Sequence, residues 1–189
     1  MILMKEYPRI LFMGTPEIAS YILKGLIENE YNIIGVIAQE DKPVGRKGII
    51  EPVPTKKVAM EYHIPCFQPK KIRLEYEFVK ELKPDLIITC AYGQIIPQEL
   101  IDIPHLKPIN VHGSLLPKYR GASPIQQALI NNDKVVVTLT NPRGNRDCKL
   151  VYVAYSRNNR HVNTSMRSFR LHDKDAVKEI ASYVTKLVK

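Results

Sequence analysis

The sequence predicts an α/β fold in which helices cover both faces of a doubly wound, mostly parallel sheet. Short apolar runs alternate with amphipathic helical patterns, and short polar segments connect them. The runs at Tyr31–Ala38 and Leu86–Cys90 are continuously apolar, which is typical of strands covered on both faces. Strands that alternate with helices in this way form a parallel sheet with right-handed crossovers.

The N-terminal segment contains a strand–helix–strand unit. Arg9–Met13 is an apolar run that stops at Gly14-Thr15-Pro16. A proline just inside a helix start with a threonine before it is typical of a helix N-terminus. We therefore expect a helix that extends to about Asn29 and has one apolar face, formed by Ile18, Ile22 and Leu26. Tyr31–Ala38 is the second predicted strand.

Further elements follow a polar, Gly/Pro-rich loop that extends from Gln39 to about Pro54. The predicted elements are a short helix from near Thr55, a helix at Glu75–Lys83 closed by Pro84, strands at Leu86–Cys90 and Ile109–Val111, a helix at Pro124–Asn131 and a strand at Val135–Leu139. Ligands of doubly wound sheets lie outside the carboxyl ends of the strands. The predicted binding edge is therefore formed by the loops after Met13, Ala38, Cys90 and Val111.

Length and composition are those of a soluble globular protein with one core. The chain has 189 residues, of which 44% are hydrophobic and 25% charged. No apolar run approaches the ~20 residues that span a bilayer, and the start does not resemble a signal peptide. We expect a cytoplasmic protein without membrane contact. Three widely spaced cysteines, Cys66, Cys90 and Cys148, fit neither a disulfide framework nor a zinc site, so buried inert thiols are expected.

The net charge of +9 invites a nucleic-acid interpretation, but the charge is unevenly distributed. Residues 141–189 carry +7 and residues 1–140 only +2, so total charge is weak evidence for RNA binding by the larger part. Gly14-Thr15-Pro16 lacks the G-x-G-x-x-G dinucleotide pattern. Walker, H-E-x-x-H and G-x-S-x-G motifs are also missing from the sequence.

Asn110 and His112 are the residues most suggestive of chemistry. They lie two apart at the end of a predicted strand, so their side chains should share one face. An amide that donates to a developing oxyanion and an imidazole that moves a proton suit acyl transfer. Gly113 permits a close turn, and Ser114–Pro117 offers a stiff wall for a flat ring. A structural histidine is the competing interpretation, and the pair alone leaves both open.

The residues that surround Asn110 and His112 provide further evidence on the function. Residues 110–126 read Asn-Val-His-Gly-Ser-Leu-Leu-Pro-Lys-Tyr-Arg-Gly-Ala-Ser-Pro-Ile-Gln. This string resembles the signature of the 10-formyltetrahydrofolate-dependent formyltransferases, and its Tyr119–Gln126 half is similar to the methionyl-tRNA formyltransferase branch. Three further segments are similar to those of the family: Phe12–Pro16, Asp41–Gly48, and Pro84–Leu86 together with Ala91–Pro97. The resemblance covers residues 9–139.

The resemblance implies a Rossmann-like formyltransferase topology and a defined reaction. A formyl group would move from N10 of 10-formyltetrahydrofolate to the amino group of methionine on initiator tRNA, a step of translation initiation. Asn110 would hold the formyl oxygen and His112 would stabilise the oxyanion or relay a proton. The resemblance further implies no metal, a monomer, and folate contacts by Ala91, Tyr92, Gly93, Gln94, Ile95, Ser114, Leu115, Leu116 and Pro117.

The same resemblance implies a tRNA-facing side. The Gln39–Pro54 loop matches a family insertion that reaches toward the tRNA acceptor end, although a solvated surface loop is the simpler alternative. Its cations suit phosphate contacts. The residues expected to face the tRNA or its methionine are Gly14, Thr15, Pro16, Lys42, Arg46, Lys47 and Arg120.

The sequence departs from the family pattern after residue 140. Counting without gaps places Asp147 on the family's third catalytic position, but its neighbours Arg146 and Lys149 do not match. We therefore divide the chain into a catalytic domain, 1–140, and a tail, 141–189. The tail is either divergent or the product of a disturbed reading frame, the second being slightly favoured. An amphipathic helix at Asp173–Lys189 would complete the domain, and a frayed basic tail is the open alternative.

Two alternatives to this function remain open at the sequence level. The family's second, barrel-like tRNA-binding domain is expected to be absent. The chain could therefore be a truncated or decayed product that binds folate without turnover. It could also be a related formyltransferase that acts on a small amine, which Arg46-Lys47 and Tyr119–Gly121 disfavour.

Overall fold

The computed structural model describes residues 8–45, 48–106, 108–114, 118–119, 123–131, 135–140 and 149–154, the last two ranges as backbone alone. Fourteen elements follow one another within these ranges. They are β1 Ile10–Gly14, α1 Glu17–Glu28, β2 Ile33–Ile37, β3 Lys42–Val44, β4 Ile49–Glu51, α2 Pro54–Glu61, β5 Cys66–Phe67, α3 Glu77–Leu82, β6 Leu86–Cys90, α4 Gln98–Ile101, β7 Ile109–His112, α5 Pro124–Ile130, β8 Val135–Thr140 and β9 Lys149–Ala154.

The main sheet has seven strands in the order β5-β2-β1-β6-β7-β8-β9, and β3 and β4 form a separate hairpin. Strands β5, β2, β1, β6 and β7 are parallel. Strand β8 is antiparallel to β7, and β9 is antiparallel to β8. The chain builds outward from β1 to β5 and then returns to β6, so the direction of winding reverses between β1 and β6. The predicted doubly wound, mostly parallel sheet is confirmed.

Two apolar clusters lie on opposite faces of this sheet. Successive residues of a strand point to opposite faces, so β1 and β6 supply both clusters. The first cluster contains Ile10, Phe12, Leu86 and Ile88 together with apolar side chains of α1 and α2. The second contains Leu11, Met13 and Ile87 together with Val79 of α3 and Leu100 of α4. Burial on both faces explains why these strands are continuously apolar.

Helix α1 begins differently from the prediction. It starts at Glu17, Pro16 precedes it in extended conformation, and no side chain caps it. The hydroxyl of Thr15 instead donates to the carbonyl of Tyr92 at 3.0 Å. A contact between two loops has therefore replaced the expected cap. The predicted helix at Glu75–Lys83 is also shorter: it begins two residues later, at Glu77, and it ends at Leu82, where Lys83 adopts a left-handed conformation (φ 47°).

Four features were not predicted: the β3–β4 hairpin, β5, α4 and β9. Strand β5 has two residues and α4 has four, which is too short for a periodic pattern. The hairpin is exposed along both strands and therefore shows no alternation of apolar and polar residues. Strand β9 pairs with β8, so the sheet continues beyond residue 140. The predicted helix at Asp173–Lys189 lies outside the described residues.

Candidate active site

Strand β7 carries a polar strip at the carboxyl edge of the sheet. Ile109 and Val111 are buried in the first cluster, whereas Asn110 and His112 alternate with them and are half-buried. The second cluster, which covers the other face of β1, β2 and β6, contains no residue of β7. Because successive residues of a strand point to opposite faces, Asn110 and His112 share the face of β7 opposite the first cluster. Two residues of a strand span about 7 Å, so both side chains can reach one small group.

The hydroxyl of Thr89 orients the side chain of Asn110. Thr89 lies opposite Asn110 in the β6–β7 pairing, and its Oγ1 donates to Asn110 Oδ1 at 2.8 Å. Because the oxygen end of the amide faces Thr89, the Nδ2 end points away from β6. The hydrogen bond therefore distinguishes the acceptor end of the Asn110 amide from its donor end.

His112 contacts the chain segment that follows the strand. Its Nε2 lies 3.2 Å from the carbonyl oxygen of Tyr119. A carbonyl only accepts hydrogen bonds, so the proton of a neutral imidazole lies on Nε2 and Nδ1 is the basic nitrogen. The buried Ser114 hydroxyl donates to the carbonyl of Lys118 at 2.7 Å. This bond fixes the same segment, so Ser114 supports the position of His112.

Gly113 lies where α5 approaches the end of β7. A Cβ at this residue would lie 2.6 Å from Cγ1 of Ile125. Such a distance requires something to move, so a side chain here would push α5 away from the strand. The glycine that the sequence indicated as a turn residue is therefore required by close packing.

The loops after β1, β2 and β6 meet where the winding direction reverses. Thr15 Oγ1 donates to the carbonyl of Tyr92 and accepts from the backbone N–H of Gln39 at 3.2 Å. Gln39 Nε2 also donates to the Tyr92 carbonyl at 2.9 Å. Gly93 has a φ of 89°, and the Gln39 amide occupies the space that a Cβ there would need. These bonds hold three loops together at the position where doubly wound sheets bind ligands.

Gln94 and Ile95 continue the loop after β6 and behave differently. The Gln94 side chain accepts from the backbone N–H of Ile72 at 3.0 Å and donates to the carbonyls of Pro69 and Lys70. It therefore joins this loop to the neighbouring connection. Ile95 is 81% exposed, which is high for an apolar side chain, and it suits contact with a planar ring.

Tyr92 and Cys90 are buried, Cys66 is half-buried, and all three have little tendency to ionise. The Tyr92 ring packs in the second cluster, and its hydroxyl has no hydrogen-bond partner among the described residues. Burial, together with the charge of Glu75, raises the pKa of Tyr92 to about 12. Burial raises the pKa of Cys66 to about 11 and that of Cys90 to about 12. At neutral pH all three stay protonated, so neither thiol is an activated nucleophile.

A polar network holds the base of the β3–β4 hairpin. The carboxylate of Asp41 accepts hydrogen bonds from Lys56 Nζ, Gln68 Nε2 and the backbone N–H of Val53. Burial opposes ionisation of Asp41, but these hydrogen bonds outweigh it and lower the pKa of the carboxyl group. Gln68 Nε2 also donates to the carbonyl of Gln39 at 2.8 Å. The hairpin base is therefore connected to the loops at the sheet edge.

The hairpin itself presents apolar and cationic side chains. Val44, Ile49 and Ile50 are 47%, 58% and 68% exposed, and Lys42 is exposed beside them. The Gln39–Pro54 region, expected to be a loop, is thus a hairpin that projects from an anchored base. Lys42 lies opposite Glu51 in the hairpin, and the carboxylate of Glu51 forms an exposed ion pair with Lys57.

Other predicted site residues lie outside the described ranges: Arg46, Lys47, Leu115, Leu116, Pro117, Arg120 and Asp147. The strand ends that flank Asp147 are nevertheless defined. Thr140 pairs with Asn110, and Lys149 pairs with Leu139, the partner of Val111. The backbone on either side of residues 141–148 therefore lies level with β7. The roles of these residues stay predictions.

Sequence reasoning missed Thr89, Gln39 and the network of Asp41, Lys56 and Gln68. The sequence contained a pattern that could have identified Thr89, because it is the one hydroxyl residue in the apolar run Leu86–Cys90. The others are ordinary polar residues whose partners lie between 12 and 53 positions away. Across the described residues no cluster of three or more metal-ligating side chains occurs, and no helix there is long and apolar enough to cross a membrane.

Fold and site together define the class of protein. A parallel sheet with an Asn-x-His pair at its carboxyl edge agrees with the family whose model, described as formyl transferase, matches residues 8–145. The chain belongs to the formyl transferase family, which confirms the resemblance seen in the sequence. Solved structures agree on the fold: a glycinamide ribonucleotide transformylase of Symbiobacterium toebii has a TM-score of 0.64 at 14% identity, covering 99% of this chain and 89% of that one.

Within the family, the chain is similar to curated methionyl-tRNA formyltransferases. The enzyme of Kosmotoga olearia is 53% identical over 128 residues, which cover 67% of this chain and 41% of the relative. The enzyme of Ligilactobacillus salivarius is 50% identical over 133 residues, covering 69% and 42%. That of Bacillus subtilis is 49% identical over 128 residues, covering 67% and 40%. The chain thus spans about two fifths of the length of these relatives.

Proposed function

We propose that this chain transfers a formyl group from 10-formyltetrahydrofolate to the amino group of methionine on initiator tRNA. The observation that carries the proposal is the Asn110–His112 pair on the face of β7 opposite the first cluster, in a chain that is about 50% identical to methionyl-tRNA formyltransferases over about two thirds of its length. The exposed Ile95 and the ordered loop after β6 provide an apolar wall and a fixed backbone for the folate ring.

Each of the two residues has a role that follows from its contacts. The Nδ2 group of Asn110 donates to the formyl oxygen as negative charge develops there during attack by the amine. His112 carries its proton on Nε2, so Nδ1 accepts the proton that the methionine nitrogen loses after the neutral amine has attacked, or stabilises the charge. Breakage of the bond between the formyl carbon and N10 then releases tetrahydrofolate, whose N10 takes up a proton. The bond to Tyr119 keeps the ring in that orientation. Asp147 is proposed as the third residue, orienting the histidine.

The β3–β4 hairpin is proposed to contact the acceptor end of the tRNA. Lys42, together with Arg46 and Lys47, which follow β3 in the sequence, would bind phosphates, and Arg120 would contribute from the segment after β7. Neutralising Lys42 to Gln should raise the KM for tRNA and lower the slope of log binding constant against log salt by about 1. Lys80→Gln, which removes an exposed charge from α3, is the matched control.

The decisive experiment is formylation by the purified chain with 10-formyltetrahydrofolate and charged initiator tRNA. Asn110→Ala and His112→Ala should each lower kcat by about 10²–10³-fold, the usual cost of one oxyanion donor. His105→Ala is the control, since that exposed histidine pairs with Asp85 at the opposite edge of the sheet. Turnover that is unaffected by His112→Ala would contradict the proposed site.

Calorimetry with the folate separates the remaining outcomes. Folate binding without turnover would support the inactive, folate-binding alternative. A preference for a small amine over the tRNA in the formylation assay would support the related-enzyme alternative.

Robust turnover that is indifferent to Asp147→Asn would show that Asp147 is not the third catalytic residue. Sequencing of the coding DNA tests the frame-disturbance hypothesis, which fails if no alternative frame encodes a family-like segment.

A further inference from the structure

Thr89 places a hydroxyl where the fold would accept a purely apolar side chain. It lies in the central strand β6, between β1 and β7, and is 4% exposed. The neighbouring residues of the strand, Leu86, Ile87, Ile88 and Cys90, are all buried and apolar or nearly so. Burying a hydroxyl is costly unless it is hydrogen-bonded, and valine has almost the same shape. The hydroxyl therefore needs an explanation beyond packing.

The hydroxyl discriminates between two possible acceptors. Its one proton is directed at Asn110 Oδ1, 2.8 Å away, whereas the backbone carbonyl of Ile109 lies at 3.4 Å. The shorter contact is the stronger hydrogen bond. Thr89 and Asn110 occupy paired positions on parallel strands inside the sheet, so the backbone fixes both ends of this contact.

The two ends of an asparagine amide have nearly the same shape but opposite hydrogen-bonding character. A rotation of 180° about the last side-chain bond would exchange the N–H donors for an acceptor oxygen. We propose that Thr89 is a positioning residue that holds the Asn110 amide in one orientation, with Oδ1 toward β6 and the Nδ2 donors toward the formyl oxygen. The proposal rests on the proposed function in that Asn110 acts as the donor.

Nuclear magnetic resonance tests the orientation without any turnover. The Asn110 side-chain amide signals, assigned through their loss in Asn110→Asp, should shift or broaden in Thr89→Val and return close to wild-type positions in Thr89→Ser. Thr55→Val is a matched control, because the buried Thr55 belongs to α2 and its hydroxyl donates to the carbonyl of Gly14. Unchanged Asn110 signals in Thr89→Val would overturn the proposal.

Kinetics provide the second measurement. Loss of a donor costs about 10²–10³-fold, and a donor that is present but free to rotate should cost less, about 10-fold in kcat. The KM for the folate should change by no more than about twofold, and Thr89→Ser should recover most of kcat. Equal impairment of the Val and Ser variants would indicate a packing role and overturn the proposal.

Failure of this proposal is distinguishable from failure of the proposed function. A wild-type chain without turnover would refute the function, yet the amide signals would still decide whether Thr89 orients Asn110. Conversely, wild-type turnover with no effect of Thr89→Val on kcat or on the signals would leave the function standing and remove Thr89 from it.

Discussion

Single buried polar groups at this site differ in whether they have partners, and the difference has consequences. Thr89 and Ser114 direct their hydroxyls at acceptors 2.8 and 2.7 Å away, so their burial is compensated. The hydroxyl of Tyr92 is buried and, within the part of the chain that the structure describes, has no hydrogen-bond partner. A buried polar atom that lacks a hydrogen bond destabilises the folded state. Tyr92 is therefore a residue at which the sequence is not optimal for stability.

We expect Tyr92→Phe to stabilise the protein by about 1 kcal/mol, because the ring packing is kept and an unpaired hydroxyl is removed. Urea unfolding measures the change. Tyr62→Phe is the control, since the Tyr62 hydroxyl donates to Glu28 at 3.4 Å and its removal should bring no gain. A lower free energy of unfolding in Tyr92→Phe would show that the hydroxyl has a partner in solution.

At the scale of elements, the β3–β4 hairpin is held at its base rather than along its length. Its strands are exposed, and the main sheet contributes no pairing to it. The anchoring comes from Asp41, which links the hairpin to Lys56 of α2 and to Gln68 after β5. A projecting element with a fixed base can reach a large partner while keeping its direction relative to the sheet edge.

This anchoring should depend on pH. The pKa of Asp41 is lowered in the folded state, so its contribution to stability is complete above the unfolded-state pKa, near 3.8, and is lost as the pH falls through the folded-state pKa. The free energy of unfolding of the wild type should exceed that of Asp41→Asn at pH 7, and the difference should shrink below about pH 4.

Urea titrations between pH 3 and pH 7 measure this difference. Glu77→Gln is the control, because Glu77 belongs to an exposed ion pair with Lys80 and such pairs contribute little. A difference between wild type and Asp41→Asn that stays constant across the range would contradict the assigned protonation.

At the scale of the whole molecule, one sheet supports both apolar clusters. β1 contributes Ile10 and Phe12 to the first cluster and Leu11 and Met13 to the second. Disruption of one cluster would disturb the strands on which the other cluster packs. We therefore expect the stability of one face of the sheet to depend on the packing of the other.

We expect a single cooperative unfolding transition that both clusters report. Tyr31 belongs to the first cluster and Tyr92 to the second, so fluorine-labelled tyrosine provides a probe of each face. The two signals, assigned through Tyr→Phe variants, should share one urea midpoint. Separate midpoints would show that one layer of helices detaches before the other.

Local pattern determined a large part of this protein from the sequence alone. Continuous apolar runs specified β1, β2 and β6, because strands buried on both faces need apolar residues at every position. The Asn-x-His spacing specified two side chains on one face, because the period of a strand is two. The string at 110–126 identified the formyl transferase family.

Only the tertiary structure decided which loops meet and which polar groups pair. Thr15 was expected to cap a helix, yet its hydroxyl bonds to Tyr92, 77 residues away. Thr89 gained its role from a strand register that places it beside Asn110. The short elements β5 and α4 and the exposed hairpin owe their places to distant contacts. The sequence did not predict these features for one physical reason. Sequence periodicity shows which side of an element is buried, but not which residues pack against that side.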